Sequence, residues 1–237
     1  MYLGPIDEDT ATSAFPAARD KSPGLFAWGF PQLKPSRLAF AWYEHFFLFA
    51  FFPLAAIVYA EGSPAYHALV ALSLAAAALL SGTRSFHWRD MGPNDLWSEW
   101  PVMIGVSALF IGFAIFAATF FVPHYDMRPT FWSALFFAVV IAGPTELIYR
   151  ALFFRRYGHL FEGECWAIMV GALSTGLLYT MISGALEGLV LGGFVGTVLS
   201  LTYLRTGSFP LIVGLHIVAL VAMQMIAPGI GFCHHSG

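Results

Sequence analysis

The chain has 237 residues, of which 58% are hydrophobic and only 11% are charged, with a formal net charge of −3. Soluble domains usually contain about 25% charged residues, so this composition excludes a water-soluble protein. No cluster of Lys and Arg is dense enough to neutralise a run of phosphates, which excludes a nucleic-acid-binding protein. We therefore predict an all-α, polytopic membrane protein with the lipid bilayer as its solvent.

The N-terminal region is polar and precedes the first apolar stretch. It begins with an acidic segment at Asp7–Asp9 and contains several prolines, but it lacks the apolar core of a signal peptide. We predict a cytoplasmic tail at 1–37, N-terminal spans with a Trp-rich loop at 38–100, and a membrane core at 101–237. The core is distinguished by polar residues that lie within its apolar stretches.

Seven apolar stretches are long enough to cross a hydrocarbon layer of about 30 Å. They run over 39–60, 66–82, 101–122, 132–154, 165–182, 185–204 and 210–229. Positive residues collect on the cytoplasmic side of membranes. With the N-terminus inside, Arg128 is external, Arg150 lies in a span, and the cytoplasmic set is Arg19, Lys21, Lys34, Arg37, Arg84, Arg89, Arg155, Arg156 and Arg205. We therefore predict about seven spans and a cytoplasmic N-terminus, in the bacterial cytoplasmic (inner) membrane.

The first apolar stretch contains the segment Ala41-Trp-Tyr-Glu-His45 among several phenylalanines. A small residue four positions before a histidine is the spacing by which antenna helices seat a pigment on the imidazole. The alternative is that His45, next to Glu44, is a hydrogen-bonding residue near the membrane surface. His45 is therefore a candidate pigment or cofactor ligand, although we expect no cofactor.

The cysteines and the C-terminal histidines do not form a convincing site. Cys165 and Cys233 fall near opposite faces of the predicted topology, so we predict no disulfide between them. The segment Cys233-His234-His235 offers three metal donors, but it lies at a chain end, where disorder is common. We therefore predict no metal site.

The fourth apolar stretch contains two ionisable residues, Glu146 and Arg150, at i and i+4. They share a helix face in the order that favours an ion pair. An unpaired charge in a membrane costs about 2.5–3.5 kcal/mol, so both should face the interior of the bundle. The pair either joins two helices or places Glu146 in a wet cavity. Gly143 and Pro144 directly before this site should loosen the helix and border such a cavity.

Four glycines recur at every fourth position of the sixth stretch: Gly184, Gly188, Gly192 and Gly196. Such a stripe lets a neighbouring backbone approach to about 6–8 Å. We expect this glycine seam to pack within the chain, with packing against a partner as the alternative.

Three further polar residues lie within or at the ends of the later apolar stretches. His216 lies six residues after Pro210, while Tyr179 and Ser183 are near the end of the fifth stretch. A single histidine in a membrane is usually a packing residue, but one that reaches Glu146 would form part of a site.

Several segments together resemble the CPBP family of intramembrane proteases, which includes the CAAX prenyl proteases and bacteriocin-processing relatives. The segments are Gly143-Pro-Thr-Glu-Leu-Ile-Tyr-Arg150, Leu178-Tyr179 to Ser183, Gly188-Leu-Val-Leu-Gly192, Tyr203-Leu-Arg-Thr-Gly-Ser-Phe-Pro-Leu-Ile212, and His216. The similarity covers about residues 80–225.

The resemblance implies a chemistry based on two adjacent glutamates followed by Arg, a Phe-x-x-x-His segment, and a final His-x-x-x-Asn. A glutamate would activate water, while the histidines and Asn would bind or polarise the scissile carbonyl. By position, the catalytic glutamate corresponds to Thr145, the second glutamate to Glu146, the arginine to Arg150, the middle histidine to Ser183, the last histidine to His216 and the asparagine to Leu220.

Three of these positions carry residues that cannot perform the implied chemistry. Thr145 is not a base near neutral pH, Ser183 is a weaker hydrogen-bonding group than imidazole, and Leu220 cannot stabilise an oxyanion. We therefore predict a proteolytically inactive relative that acts as a binding or assembly subunit with another integral membrane protein. Its remnant site would be Glu146, Arg150, Tyr179 and His216.

Two alternatives remain open at the level of sequence. One is an active endopeptidase with Glu146 as base and His216 assisting, which a water-filled pocket containing both residues would favour. The other is a pigment-associated subunit.

Counting about 1.5 Å per residue places Ser183 near the far membrane face, but Glu146 and His216 at mid-membrane. The resemblance assigns all three residues to one site, which this count does not allow. We therefore expect the fifth span to tilt or to start later.

Overall fold

The computed structural model of the chain describes residues 42–46, 49, 99–120, 130–161, 163–183 and 186–227. Within these ranges all regular structure is helical. The elements are α1 (Trp100–Phe120), α2 (Phe131–Glu146), a π-helix (Leu147–Leu152), α3 (Phe153–Tyr157), a 3-10 helix (Gly158–Leu160), α4 (Glu164–Ser183), α5 (Glu187–Thr206) and α6 (Phe209–Ile226). The short segment 42–46 is also helical.

Four helical segments are long and apolar enough to cross a membrane: Trp100–Phe120, Phe131–Leu152, Glu187–Thr206 and Phe209–Ile226. They correspond to the third, fourth, sixth and seventh predicted spans, and α4 covers the fifth. The all-helical membrane architecture thus agrees with the prediction. The two N-terminal spans lie almost wholly outside the described residues, so the total of seven spans and the cytoplasmic N-terminus stay predictions.

Local sequence signals explain several helix ends. Thr130 caps α2, and its hydroxyl accepts a hydrogen bond from the Ser133 backbone N–H. Gly207 ends α5 in a left-handed conformation with φ of 64°, and its N–H donates to the Tyr203 carbonyl. Pro210 then lies in the first turn of α6, where a missing N–H costs nothing. The turn between α5 and α6 is therefore encoded locally.

The fourth predicted span is irregular, but the irregularity begins after Glu146 and not at Pro144. Helix α2 continues through Pro144 to Glu146 and then passes into the π-helix Leu147–Leu152. A π-helical turn contains more residues than an α-helical one and redirects the side chains that follow it. Arg150 lies within this π-helix and is buried.

Helices α4 and α5 form the most extensive helix pair among the described residues, and glycines allow their close approach. A Cβ added at Gly192 would lie 2.6 Å from the Tyr179 Cβ, and one added at Gly196 would lie 2.9 Å from the Thr175 Cβ. The glycine seam at these two positions therefore packs against α4 of the same chain. Gly188 is also buried, whereas Gly184 lies outside the described residues.

Helix α6 packs between α2 and α1. On the α2 side, Leu220 lies in an apolar cluster with Ala138, Ile141 and Ala142. On the α1 side, α6 contributes Met223 to a cluster that includes Ala114, Ala117 and Leu191. Small residues on α1 and α2 thus let α6 occupy the centre of the described bundle.

Candidate functional site

A cluster of ionisable side chains lies in the bundle interior, where α2, the π-helix and α6 meet. Glu146, Arg150 and His216 are each 0% exposed. Glu146 Oε1 lies 3.4 Å from Arg150 Nη1 and 2.6 Å from His216 Nδ1. The His216 contact is close in distance, although the ring N–H is not aligned for an ideal hydrogen bond with the carboxylate. These three residues and Tyr179 are called the polar cluster below.

Tyr179 and the backbone of α5 extend the contacts of the polar cluster. The Tyr179 hydroxyl lies 2.6 Å from His216 Nε2, and the two rings are stacked with an interplanar angle of 15°. Arg150 Nη2 donates a hydrogen bond of 3.0 Å to the Gly196 carbonyl. A continuous chain of polar contacts therefore joins α4, α6, α2, the π-helix and α5.

The charges of the polar cluster balance when His216 is neutral. The Glu146 carboxylate and the Arg150 guanidinium carry opposite charges, so together they contribute no net charge to the interior. A buried net charge is expensive in an apolar medium, whereas a pair of opposite charges in close contact costs less. The arrangement therefore explains how ionisable residues persist at this depth.

The polar cluster does not use all of its hydrogen-bonding capacity. Among the described residues, both Glu146 carboxylate oxygens, Arg150 Nε and Nη1, and His216 Nδ1 have no hydrogen-bond partner, so Glu146 meets Arg150 and His216 through close charge contacts only. Ser200 Oγ also lacks one, and it lies one turn after Gly196, whose carbonyl accepts from Arg150. Because these atoms are buried, a ligand could use them only after the helices separate.

The positions that the resemblance assigns to the missing catalytic groups are not part of the polar cluster. The buried Thr145 hydroxyl donates a hydrogen bond of 2.7 Å to the Ile141 carbonyl of its own helix. Leu220 is buried in the apolar cluster between α2 and α6. Neither side chain offers a polar group to a substrate.

Ser183 is the last residue of α4, and its side chain lies outside the described part of the structure. Tyr179, one turn earlier, contacts His216 directly. The C-terminal half of α4 therefore packs against α6 at His216, while the depth of Ser183 relative to Glu146 and His216 stays a prediction.

His45, the candidate pigment ligand, lies in a different environment. It is 6% exposed and is surrounded by aromatic rings with centroids between 5.2 and 6.1 Å from its own. These rings belong to Trp42, Phe49, Phe153, Tyr157 and Phe161. The surroundings favour a packing role over a pigment-binding role, and they are called the aromatic box below.

The sequence analysis did not predict the aromatic box. A signal was present, because Tyr149, Phe153, Tyr157 and Phe161 recur at every fourth position and so share a helix face. Phe49 contacts the first three of these rings. The box therefore attaches Trp42, His45 and Phe49 to the region from Tyr149 to Phe161.

The described residues contain no group of three His, Cys, Asp or Glu side chains that could hold a metal ion. Cys165 is an exposed free cysteine. Cys233, His234 and His235 lie outside the described residues, as do all but a few residues of the first two predicted spans.

Comparison with known proteins supports the family resemblance. Residues 126–221 match the Rce1-like family model, described as type II CAAX prenyl endopeptidase Rce1-like. The matched region includes every residue of the polar cluster and Leu220. Among curated proteins and solved structures, none is significantly similar to the chain. The predicted resemblance is confirmed over this region, which supports a CAAX-protease-like membrane protein.

Proposed function

We propose that this CAAX-protease-like membrane protein does not hydrolyse peptide bonds and acts as a binding or assembly subunit of a membrane complex. The observation that carries the proposal is the environment of Thr145 and Leu220. The threonine hydroxyl is bonded to its own helix, and the leucine is packed among apolar side chains. The two positions that would supply a base and an oxyanion ligand therefore supply neither.

The surviving polar residues are suited to holding the bundle together. Glu146 contacts both Arg150 and His216, and Arg150 also binds the α5 backbone. Loss of a single transition-state hydrogen-bond donor commonly reduces rates by about 100- to 1,000-fold. Because both a base and a donor are replaced here, the remaining groups support a stable scaffold better than hydrolysis.

A partner would have to use a surface other than the described glycine seam. Gly192 and Gly196 are covered by α4 of the same chain. Large apolar side chains on the outer faces of α2 and α4, such as Trp132, Phe136, Trp166 and Met169, are exposed and lie against lipid or another protein. The proposed subunit role concerns these outer surfaces and not the polar cluster.

The proteolytic part of the proposal is tested with purified protein in nanodiscs and a prenylated peptide ending in a CAAX sequence. Mass spectrometry would detect any released C-terminal tripeptide. We expect no release above that of a matched His216→Gln sample. Release by the wild type that is abolished by both Glu146→Gln and His216→Gln, with each variant still monodisperse, would contradict the proposal.

The subunit role is tested separately by cross-linking native membranes before solubilisation in mild detergent, followed by native mass spectrometry. We expect a complex in which the chain and a second integral membrane protein occur in fixed stoichiometry. A chain that is recovered only as a monomer with bound lipid would contradict the assembly role.

A second candidate function is an active endopeptidase with Glu146 as general base. The observation in its favour is the 2.6 Å approach of Glu146 Oε1 to His216 Nδ1, together with the unpartnered Oε2 atom. Such an enzyme would require α2 and α6 to separate, because both side chains are fully buried. The peptide assay above distinguishes it from the inactive scaffold.

A further inference from the structure

Tyr179 is held between two neighbouring helices. On the α5 side, a Cβ at Gly192 would lie 2.6 Å from the Tyr179 Cβ and 2.7 Å from its Cγ. Real Cβ atoms do not approach other atoms so closely, so this position of the ring requires glycine at 192. On the α6 side, the Tyr179 hydroxyl lies 2.6 Å from His216 Nε2.

A carboxylate only accepts hydrogen bonds, so the 2.6 Å approach of Glu146 Oε1 favours a ring proton on His216 Nδ1 and leaves Nε2 to accept from the Tyr179 hydroxyl. A neutral imidazole has one donor nitrogen and one acceptor nitrogen. When the Tyr179 hydroxyl donates to Nε2, the ring proton lies on Nδ1, which is 2.6 Å from the Glu146 carboxylate.

We infer that Gly192 is a positioning residue for the His216 imidazole and acts through Tyr179. By leaving room for the Tyr179 ring, Gly192 keeps His216 Nε2 occupied by the Tyr179 hydroxyl. Nε2 is then occupied by the Tyr179 hydroxyl, and Nδ1 faces the Glu146 carboxylate at 2.6 Å, so neither nitrogen is open to a substrate. The role of Gly192 is separate from the proposed function, because the contact between Tyr179 and His216 Nε2 exists whether or not the protein is an enzyme.

The adjacent glycine, Gly193, provides a matched control for the role of Gly192. A Cβ at Gly193 meets no atom within 4 Å. Gly192→Ala and Gly193→Ala therefore make the same chemical change in the same helix, but only the first collides with Tyr179.

The test uses the full chain labelled with ¹⁵N-histidine in nanodiscs, with NMR detection of the ring nitrogens. The His216 resonances are identified by their loss in His216→Gln. We expect a protonated Nδ1 and a hydrogen-bonded, unprotonated Nε2 in the wild type. Tyr179→Phe and Gly192→Ala should both shift the Nε2 resonance toward that of an acceptor without a partner, whereas Gly193→Ala should leave it unchanged.

Three NMR results would overturn the inference. They are a wild-type His216 protonated on Nε2, a Tyr179→Phe variant with an unmoved Nε2 resonance, and equal shifts in the two glycine variants. If Gly192→Ala fails to fold, the double variant Gly192→Ala/Tyr179→Gly removes the collision with the Tyr179 Cβ and Cγ. Recovery of a monodisperse protein supports the route through Tyr179. Failure of the double variant assigns Gly192 to general packing against the Thr175 carbonyl, 2.9 Å from the added Cβ, and overturns the inference.

Discussion

The protein buries two histidines in opposite kinds of surroundings. His216 is 0% exposed and contacts a carboxylate and a hydroxyl, whereas His45 is 6% exposed and contacts five aromatic rings. Among the described residues, Nδ1 of either histidine lacks an aligned hydrogen bond, but His216 Nδ1 lies 2.6 Å from a carboxylate oxygen. The comparison shows that burial alone does not identify a candidate site, because only one of these imidazoles is held by polar partners.

The two regions should respond differently to substitution. In the polar cluster each side chain compensates for the burial of another, so removal of one leaves the rest unpaired. In the aromatic box the stabilising contribution is packing, which a residue of similar size can replace. The variants below test this contrast by reversible unfolding in mixed micelles, in order of decreasing expected effect.

Glu146→Gln should destabilise the fold most, by about 3–5 kcal/mol, because it leaves the Arg150 charge buried without its counterion. Unfolding is followed by tryptophan fluorescence. The control is Glu146→Gln/Arg150→Met, which removes the orphaned charge and should recover much of the loss. A double variant as unstable as the single one would show that the ion pair is not what stabilises the polar cluster.

His216→Phe should cost about 2–4 kcal/mol, since each buried polar group left unpaired costs about 1–3 kcal/mol. Both Glu146 and Tyr179 lose their contact with the imidazole in this variant. The free energy of unfolding is measured under the same conditions. A cost below about 1 kcal/mol would mean that the contacts of His216 contribute little, and the contrast with His45 would fail.

Tyr179→Phe should cost about 1–2 kcal/mol, because it removes one hydroxyl and leaves the buried Nε2 without a donor. The ring itself and its fit against Gly192 are retained. A coupling energy near zero in a double-mutant cycle with His216→Phe would contradict the observed hydrogen bond.

His45→Phe should change stability by less than about 1.5 kcal/mol in either direction, because an aromatic ring of similar volume replaces the imidazole. The same unfolding measurement applies, with an absorbance spectrum of the wild type as an independent check for pigment. A loss as large as that of His216→Phe, or a pigment band in the spectrum, would restore the ligand role considered for His45.

Part of the candidate site could be predicted from sequence spacing. Glu146 and Arg150 lie at i and i+4, and periodicity places them on one helix face whatever the rest of the chain does. The contact between Tyr179 and His216 could not be predicted in this way, because it joins residues 37 positions apart. It depends on how α4 packs against α6, which spacing along the chain does not specify.

The sequence by itself determined the all-helical membrane class, the ends of several helices and the absence of the expected catalytic side chains at Thr145 and Leu220. These features follow from composition, local capping and residue identity. Only the tertiary structure decided that α4 covers the glycine seam at Gly192 and Gly196, and that Arg150 binds a carbonyl 46 positions away. Contacts of this kind depend on how several helices pack at once, and no local pattern specifies which neighbour a helix face will meet.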